Sequence, residues 1–309
     1  MALHPHAKAF LGQLVDNPFD NMRAMTPAVF RAAHGPIGEL GGPPEDVARI
    51  ENRTIPGPAG PIPVRIYTPV GTPPLPTLVW FHGGCFVAGT LDMEDTPCRA
   101  LANAAKCVVV AVDYRLSPEN KFPAAVDDAY AATAWVAANE RDLGIDSKRV
   151  AVGGHSAGGN LAAVIAQLAQ KRGGPALAFQ LLVLPITDCA ARTPSRRENA
   201  SGYLLTADML DWSTRQYLRS EADRQTPEAS PLLAQDLKGL PSALIITAEY
   251  DPLRDEGEQY AEKLRQAGAV VSVRRFEGAI HAFFILGGVM EQGKQAIQEA
   301  GAALRRALS

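Results

Sequence analysis

The run Val150-Ala151-Val152-Gly153-Gly154-His155-Ser156-Ala157-Gly158-Gly159-Asn160 constrains the fold more than any other part of the chain. A short β-prone segment meets a cluster of small residues, and an Ala-rich helical pattern follows from Leu161 onward. Gly154-His155-Ser156-Ala157-Gly158 fits G-x-S-x-G, the sharp strand-to-helix turn that lifts a serine hydroxyl above the edge of a sheet. A serine at that tip sits in strained backbone, and the residues two before and two after it must lack side chains so that strand and helix can pass. The same turn leaves the Ala157 amide aimed at the hydroxyl from a helix N-terminus, where negative charge is favoured.

Six histidines are present, His4, His6, His34, His82, His155 and His281. Where a serine is presented in this way, its acid and then its histidine follow it along the chain. Only His281 lies beyond Ser156, so if Ser156 is the nucleophile the base is fixed by elimination. Two aspartates compete to orient that base, because both follow expected strands: Asp188 after Phe179 to Leu184, and Asp251 after Ala243 to Ala248. Asp251 can accept from His281 and fix its tautomer, whereas Asp188 opens a long insertion, where an aspartate serves well as a cap. Spacing alone leaves both open. Upstream, His82-Gly83-Gly84-Cys85-Phe86 follows the apolar strand that ends at Phe81. Backbone donors for a developing oxyanion must come close enough to touch the substrate, and glycines permit that approach. His82 precedes Ser156 and reads as a residue that orients this loop.

The 309 residues can hold one large α/β domain or two ordinary ones, with ample core. Hydrophobic content of 47% with 20% charged residues belongs to a globular protein, and a net charge of −3 with no long basic run excludes an electrostatic footprint for nucleic acid. The N-terminus has no cationic region followed by an apolar stretch, and no window approaches the roughly 18 apolar residues of a membrane span. Cys85, Cys98, Cys107 and Cys189 are scattered without CxxC spacing and read as reduced thiols of a cytoplasmic protein.

Along the chain, residues 1 to 45 show an amphipathic helical pattern through Phe10, Leu11, Leu14, Val15, Phe19, Met22, Met25, Val29 and Phe30, expected to form an N-terminal cap segment. Strands around Glu51–Ile55 and Val64–Tyr67 flank a hairpin at Pro56 to Gly60. Leu78–Phe81 and Cys107–Val112 read as buried strands, and Ala124–Asn139 as a helix burying Val126, Tyr130, Trp135 and Val136. A further strand is expected over Val271–Phe276, with helices around Asp255–Ala267 and Val289–Leu308. This alternation predicts an α/β fold with a mostly parallel central sheet and helices on both faces. Ile186 to Gly239 breaks the rhythm with helical pattern but no strand. The expected organisation is therefore a catalytic core over 46–187 and 240–309, with a helical cap insertion over 188–239 that joins the N-terminal segment as a lid over Ser156.

His82-Gly83-Gly84, Asp113-Tyr114-Arg115-Leu116-Ser117-Pro118-Glu119, Gly154-His155-Ser156-Ala157-Gly158-Gly159-Asn160 and Asp251-Pro252-Leu253-Arg254-Asp255 occur in that order. As a set, from about residue 45 to the end, they resemble the hormone-sensitive-lipase-like branch of the α/β-hydrolases, the bacterial family IV carboxylesterases. The resemblance implies an α/β-hydrolase fold and a catalytic triad of Ser156, Asp251 and His281. It also implies oxyanion-hole amides from Gly83, Gly84 and Ala157, and a structural role for Asp113 to Glu119 with Arg115 buried in an ion pair. No metal or organic cofactor is implied, and the expected partner is a small-molecule ester, with a homodimer open. The sequence departs from the family pattern at Cys85, where a third glycine is usual, at His155, where aspartate is common, and at Ala282, where glycine usually follows the histidine. The Leu-, Met-, Trp- and Tyr-rich lid suggests short- to medium-chain acyl or aryl esters. Gly-His-Ser-Ala also occurs in aryl formamidases, so an amidase using the same triad is the alternative. Plant gibberellin receptors share the fold as ligand binders but lack the histidine that His281 supplies here.

Overall fold

The computed structural model describes residues 2–14, 19 and 21–309, so Val15 of the expected N-terminal run lies outside the described residues. Among the described residues eight strands form one sheet in the order β1-β2-β4-β3-β5-β6-β7-β8. They are β1 Arg49–Gly57, β2 Gly60–Thr68, β3 Leu75–Phe81, β4 Val108–Val112, β5 Ile145–His155, β6 Phe179–Val183, β7 Ser242–Tyr250 and β8 Val271–Ile280. β2 runs antiparallel to both β1 and β4, and every pairing from β4 across to β8 is parallel. The β1–β2 turn is tighter than its proline and glycine content suggests: Pro56 pairs with Pro61 and Gly57 with Gly60, leaving only Pro58 and Ala59 at the tip.

The described helices are α1 Pro5–Gln13, α2 Pro27–His34, α3 Asp95–Ala105, α4 Ala124–Ala138, α5 Glu140–Leu143, α6 Ala157–Arg172, α7 Pro194–Glu198, α8 Ala207–Tyr217, α9 Arg254–Gln266 and α10 Glu291–Ala307. Strand periodicity sorts the core onto two faces. Leu78 and Trp80 of β3 join Val109 of β4 under Cys98 and Leu101 of α3 and Ile297 and Leu304 of α10. Val79 and Phe81 join Val108, Val110 and Val112 under α4, α6 and α9, through Val126, Leu161, Val164, Tyr260 and Leu264. Because both faces are covered, the central strands are apolar throughout instead of alternating.

Two local readings change. No helix was expected at α3, where Leu101 is the one large aliphatic residue of a buried face otherwise made of Pro97, Cys98, Ala100, Ala102 and Ala105. In α4, Val126 and Val136 are buried as expected, but Tyr130 and Trp135 are only half-buried, and Ala125, Ala129 and Ala132 make the close contacts. The stretch from Ile186 to Gly239 contains no strand; it holds α7, α8 and 3-10 turns at Glu221–Gln225 and Pro231–Leu233. It packs on the N-terminal segment, where the Trp212 indole donates to the Met25 carbonyl at 3.1 Å and lies 4.9 Å from the Phe30 ring. No helix among the described residues is long and apolar enough to cross a membrane.

Arg115 forms its ion pair with Asp128 of α4 at 2.8 Å, but the carboxylate is the buried member, with side-chain exposures of 29% and 1%. Asp128 accepts from the Arg115 backbone amide, Nε and Nη2. Asp128→Ala strands these donors and empties a buried position, so a loss of about 3 kcal/mol is expected in a chemical denaturation curve.

Candidate active site

Ser156 sits between β5 and α6 with φ 56° and ψ −117°, a conformation costly for a residue with a side chain. Its neighbours hold it there: the Ser156 amide donates to Val183 O at 2.8 Å, and the Ser156 carbonyl accepts from Asn160 and Ile186. The glycine spacing follows from contact. A methyl group on Gly158 would come within 1.9 Å of Phe81 O, and one on Gly154 within 2.4 Å of Gly158 O.

The structure brings Ser156, His281 and Asp251 together. His281 Nε2 lies 3.0 Å from Ser156 Oγ, and His281 Nδ1 lies 2.8 Å from Asp251 Oδ2. Oδ1 of Asp251 accepts the Leu253 amide at 2.8 Å, so the carboxylate is fixed from both sides, and it is fully buried. Among the described residues no hydrogen bond or ion pair joins Asp188 to His281; Asp188 Oδ1 accepts the Ala190 amide at 2.8 Å, closing a local turn at the start of the insertion. A hydroxyl hydrogen-bonded to an imidazole that is oriented by a buried carboxylate can deliver a serine nucleophile and relay its proton.

Gly83 and Gly84 occupy the loop after β3, and Ala157 opens α6. Among the described residues no acceptor takes the amide hydrogens of Gly83, Gly84 or Ala157, while the Gly84 carbonyl is engaged by Val87 and Ala88. His82 does orient this loop: its ring stacks on Tyr114 at 4.1 Å, its Nδ1 lies 2.7 Å from Gly83 O, and the Tyr114 hydroxyl donates to His82 O at 2.8 Å. Two of the three departures from the family pattern stand where the backbone itself favours glycine, with φ 58° at Cys85 and 69° at Ala282. Burial pushes the Cys85 thiol up to about 12, against a hydrogen bond with Ser213, so it is not a thiolate at neutral pH.

A cavity of about 40 Å³ lies above Ser156, lined by His155, His281, Gly84, Cys85 and Ala282 from the core and by Phe19, His34, Ile37, Leu204, Leu205 and Met209 from the two segments above it. Trp212 and Tyr217 of the insertion do not line it and are packed in the core. His34, which the sequence reading left without a role, stacks on Phe30 at 5.2 Å. Burial, with the charges of His155, His82 and His281, pushes its imidazole down to about 4. Other supports escaped the sequence reading because they act across long separations. The Asn199 side-chain amide donates to the Asp251 carbonyl at 3.3 Å, and that of Asn160 to the carbonyls of Ile186 and Ala229. The motif that contains Asn160 was the one available signal.

A profile for the α/β-hydrolase fold matches residues 78–285, and the chain belongs to that family. It is 45% identical to the carboxylic ester hydrolase LipN of Mycobacterium tuberculosis, over 96% of this chain and 79% of that protein. With the ethyl acetate hydrolase of Pseudomonas putida it shares 41% identity, over 80% of this chain and 79% of that one. The hyperthermophilic esterase from Pyrobaculum calidifontis superposes with a TM-score of 0.94 at 42% identity, covering 99% of both chains. The resemblance to the hormone-sensitive-lipase-like esterases is thereby borne out.

Two outcomes follow for stability. Ala282→Gly relieves a left-handed alanine and is expected to raise the unfolding free energy by about 1 kcal/mol in a denaturant titration. His34 is held neutral in the fold at about 4, against 6.5 unperturbed. The unfolded chain therefore binds a proton first as pH falls, and stability drops through that window. His34→Phe should flatten this acid limb, read as a smaller fall in melting temperature between pH 7 and pH 4 than the wild type shows.

Proposed function

We propose that this chain is a serine carboxylesterase that cleaves small esters through an acyl-enzyme. The observation that carries the reading is the continuous relay from Asp251 Oδ2 to His281 Nδ1 at 2.8 Å and from His281 Nε2 to Ser156 Oγ at 3.0 Å, beneath a cavity flanked by unengaged amides. In this reading Ser156 Oγ attacks the ester carbonyl while His281 takes its proton, and Asp251 stabilises the imidazolium. The amides of Gly83, Gly84 and Ala157 receive the oxyanion, a contribution of about two to three orders of magnitude per donor. His281 then protonates the departing alcohol, and a water activated by the same imidazole releases the acid.

The N-terminal segment to residue 45 and the insertion over 188–239 act in this proposal as one cap on a core of 46–187 and 240–309. Their packing through Trp212 and their shared lining of the cavity support that division. The cavity, about 40 Å³, is far below the roughly 300–1,000 Å³ of drug-sized sites, which favours short acyl chains over longer ones. The ethyl acetate hydrolase among its relatives agrees with a small substrate. The buried, unpaired state of Cys85, Cys98, Cys107 and Cys189 fits a cytoplasmic protein.

A matched panel of p-nitrophenyl acetate, butyrate and octanoate with the corresponding anilides and N-formyl amides tests the bond and the chain length. Turnover should be highest on the short esters, and a preference for N-formyl amides would move the reading to a formamidase. Ser156→Ala and His281→Ala should each lose about four to six orders of magnitude in kcat, with the double variant little worse, because the pair acts as a unit. Asp251→Asn keeps the shape but favours the wrong histidine tautomer, with an expected loss of roughly four orders of magnitude. Asp188→Asn should change kcat by less than about tenfold, consistent with a side chain whose bond is local. The reverse ranking on folded protein would move the acid to Asp188.

A further inference from the structure

Behind the oxyanion loop lies a second histidine–carboxylate pair that the mechanism above does not use. His155 and Glu94 are buried, at 4% and 2% exposure, and His155 Nδ1 lies 3.2 Å from Glu94 Oε1. The other carboxylate oxygen, Oε2, accepts the indole N–H of Trp80 at 2.9 Å, and Trp80 belongs to β3, the strand that leads into the loop. On its far side the imidazole presses on that loop: a methyl group on Gly83 would come within 2.2 Å of His155 Nε2. His155 also lines the cavity above Ser156.

We infer that Trp80, Glu94 and His155 form a positioning chain that sets the Gly83 amide for the oxyanion, a role that rests on the esterase reading of this site. The arrangement repeats part of that of Asp251 and His281: one carboxylate oxygen accepts from a donor outside the pair and the other faces Nδ1, while Nε2 of His155 lies against Gly83. Among the described residues His155 is the only basic side chain within ion-pair distance of Glu94. Burial pushes the Glu94 carboxyl up, but the charge of His155 at 3.2 Å, the hydrogen bond from Trp80 and the charge of His82 outweigh it and hold it below the usual range. A carboxylate at that place requires a hydrogen on the nitrogen that faces it, which fixes the ring's orientation as well as its tautomer. The Nδ1–Oε1 contact is close but not well aligned, as is common for site contacts that tighten when substrate binds. His155 acts through Gly83 and is not itself a reacting group.

Two measurements test this on the full chain. Nitrogen-15 correlation spectra of the His155 ring, free of substrate, should show a hydrogen on Nδ1 in the wild type, and a shift toward a lone Nε2–H tautomer in Glu94→Gln. Kinetics on p-nitrophenyl butyrate should show kcat lowered about 10- to 100-fold in Glu94→Gln and His155→Phe, the order of one weakened oxyanion donor, with KM changed less than about threefold. Trp80→Phe, which removes the donor to Oε2 but leaves the carboxylate in place, should lower kcat in the same direction by a smaller factor, about three- to tenfold. Rates are compared at temperatures equally far below each variant's melting point. A lone Nε2–H tautomer in the wild type, or variants that lose thermal stability while kcat stays within twofold of wild type, would overturn the chain. Absence of ester turnover in the wild type would count against the esterase reading instead, and the ring spectra separate the two failures.

Discussion

The site depends on how closely α6 passes the end of β3. Only a hydrogen fits between the Gly158 α-carbon and the Phe81 carbonyl, so the helix that begins after Ser156 is seated directly on the strand that leads into the Gly83–Gly84 loop. That contact sets the height of the serine relative to the amides beside it. A looser packing would separate the hydroxyl from those amides, and catalytic geometry tolerates little displacement. The strained backbone of Ser156, worth about 1–3 kcal/mol, persists because the Val183 carbonyl and the Asn160 and Ile186 amides hold it in that conformation.

From this point the parallel sheet does the rest of the assembly. β3, β5, β7 and β8 run in one direction, so the loop with Gly83, the turn with Ser156, the loop with Asp251 and the loop with His281 all emerge at the same edge. Groups 125 residues apart in sequence therefore meet at hydrogen-bond distance. The N-terminal segment and the insertion close over that edge with Phe19, His34, Leu204, Leu205 and Met209, leaving a small apolar cavity. In such a dry space hydrogen bonds to developing charge are worth more than in water.

Most of this frame was legible in the residues, for identifiable reasons. Strands such as Val108–Val112 announce themselves because covering both faces of a sheet demands uninterrupted apolar sequence. Ser156 and His281 were legible because the elbow has steric requirements few sequences meet and only one histidine follows it. Asp251 against Asp188 was not decidable from spacing, since both aspartates follow strands and only packing puts one beside the imidazole. α3 was missed because Leu101 is the one large aliphatic residue on its buried face, the rest being proline, cysteine and alanine. Glu94 and Asn199 were invisible for another reason: their importance comes from partners 61 and 52 residues away, which no local pattern encodes.

The departures from the family pattern show how the frame constrains substitution. At Cys85 and Ala282 the backbone keeps positive φ although the side chain has changed, so the fold dictates the conformation and the residue bears the strain. His155 is different. Its ring occupies the space beside Gly83, so an imidazole at this position requires a residue without a side chain at Gly83. Glu94, just before α3, then places a carboxylate oxygen 3.2 Å from the buried Nδ1, and Trp80 ties that carboxylate back to β3. A single change in the elbow thus reaches the opposite wall of the site through contacts from one buried side chain to the next.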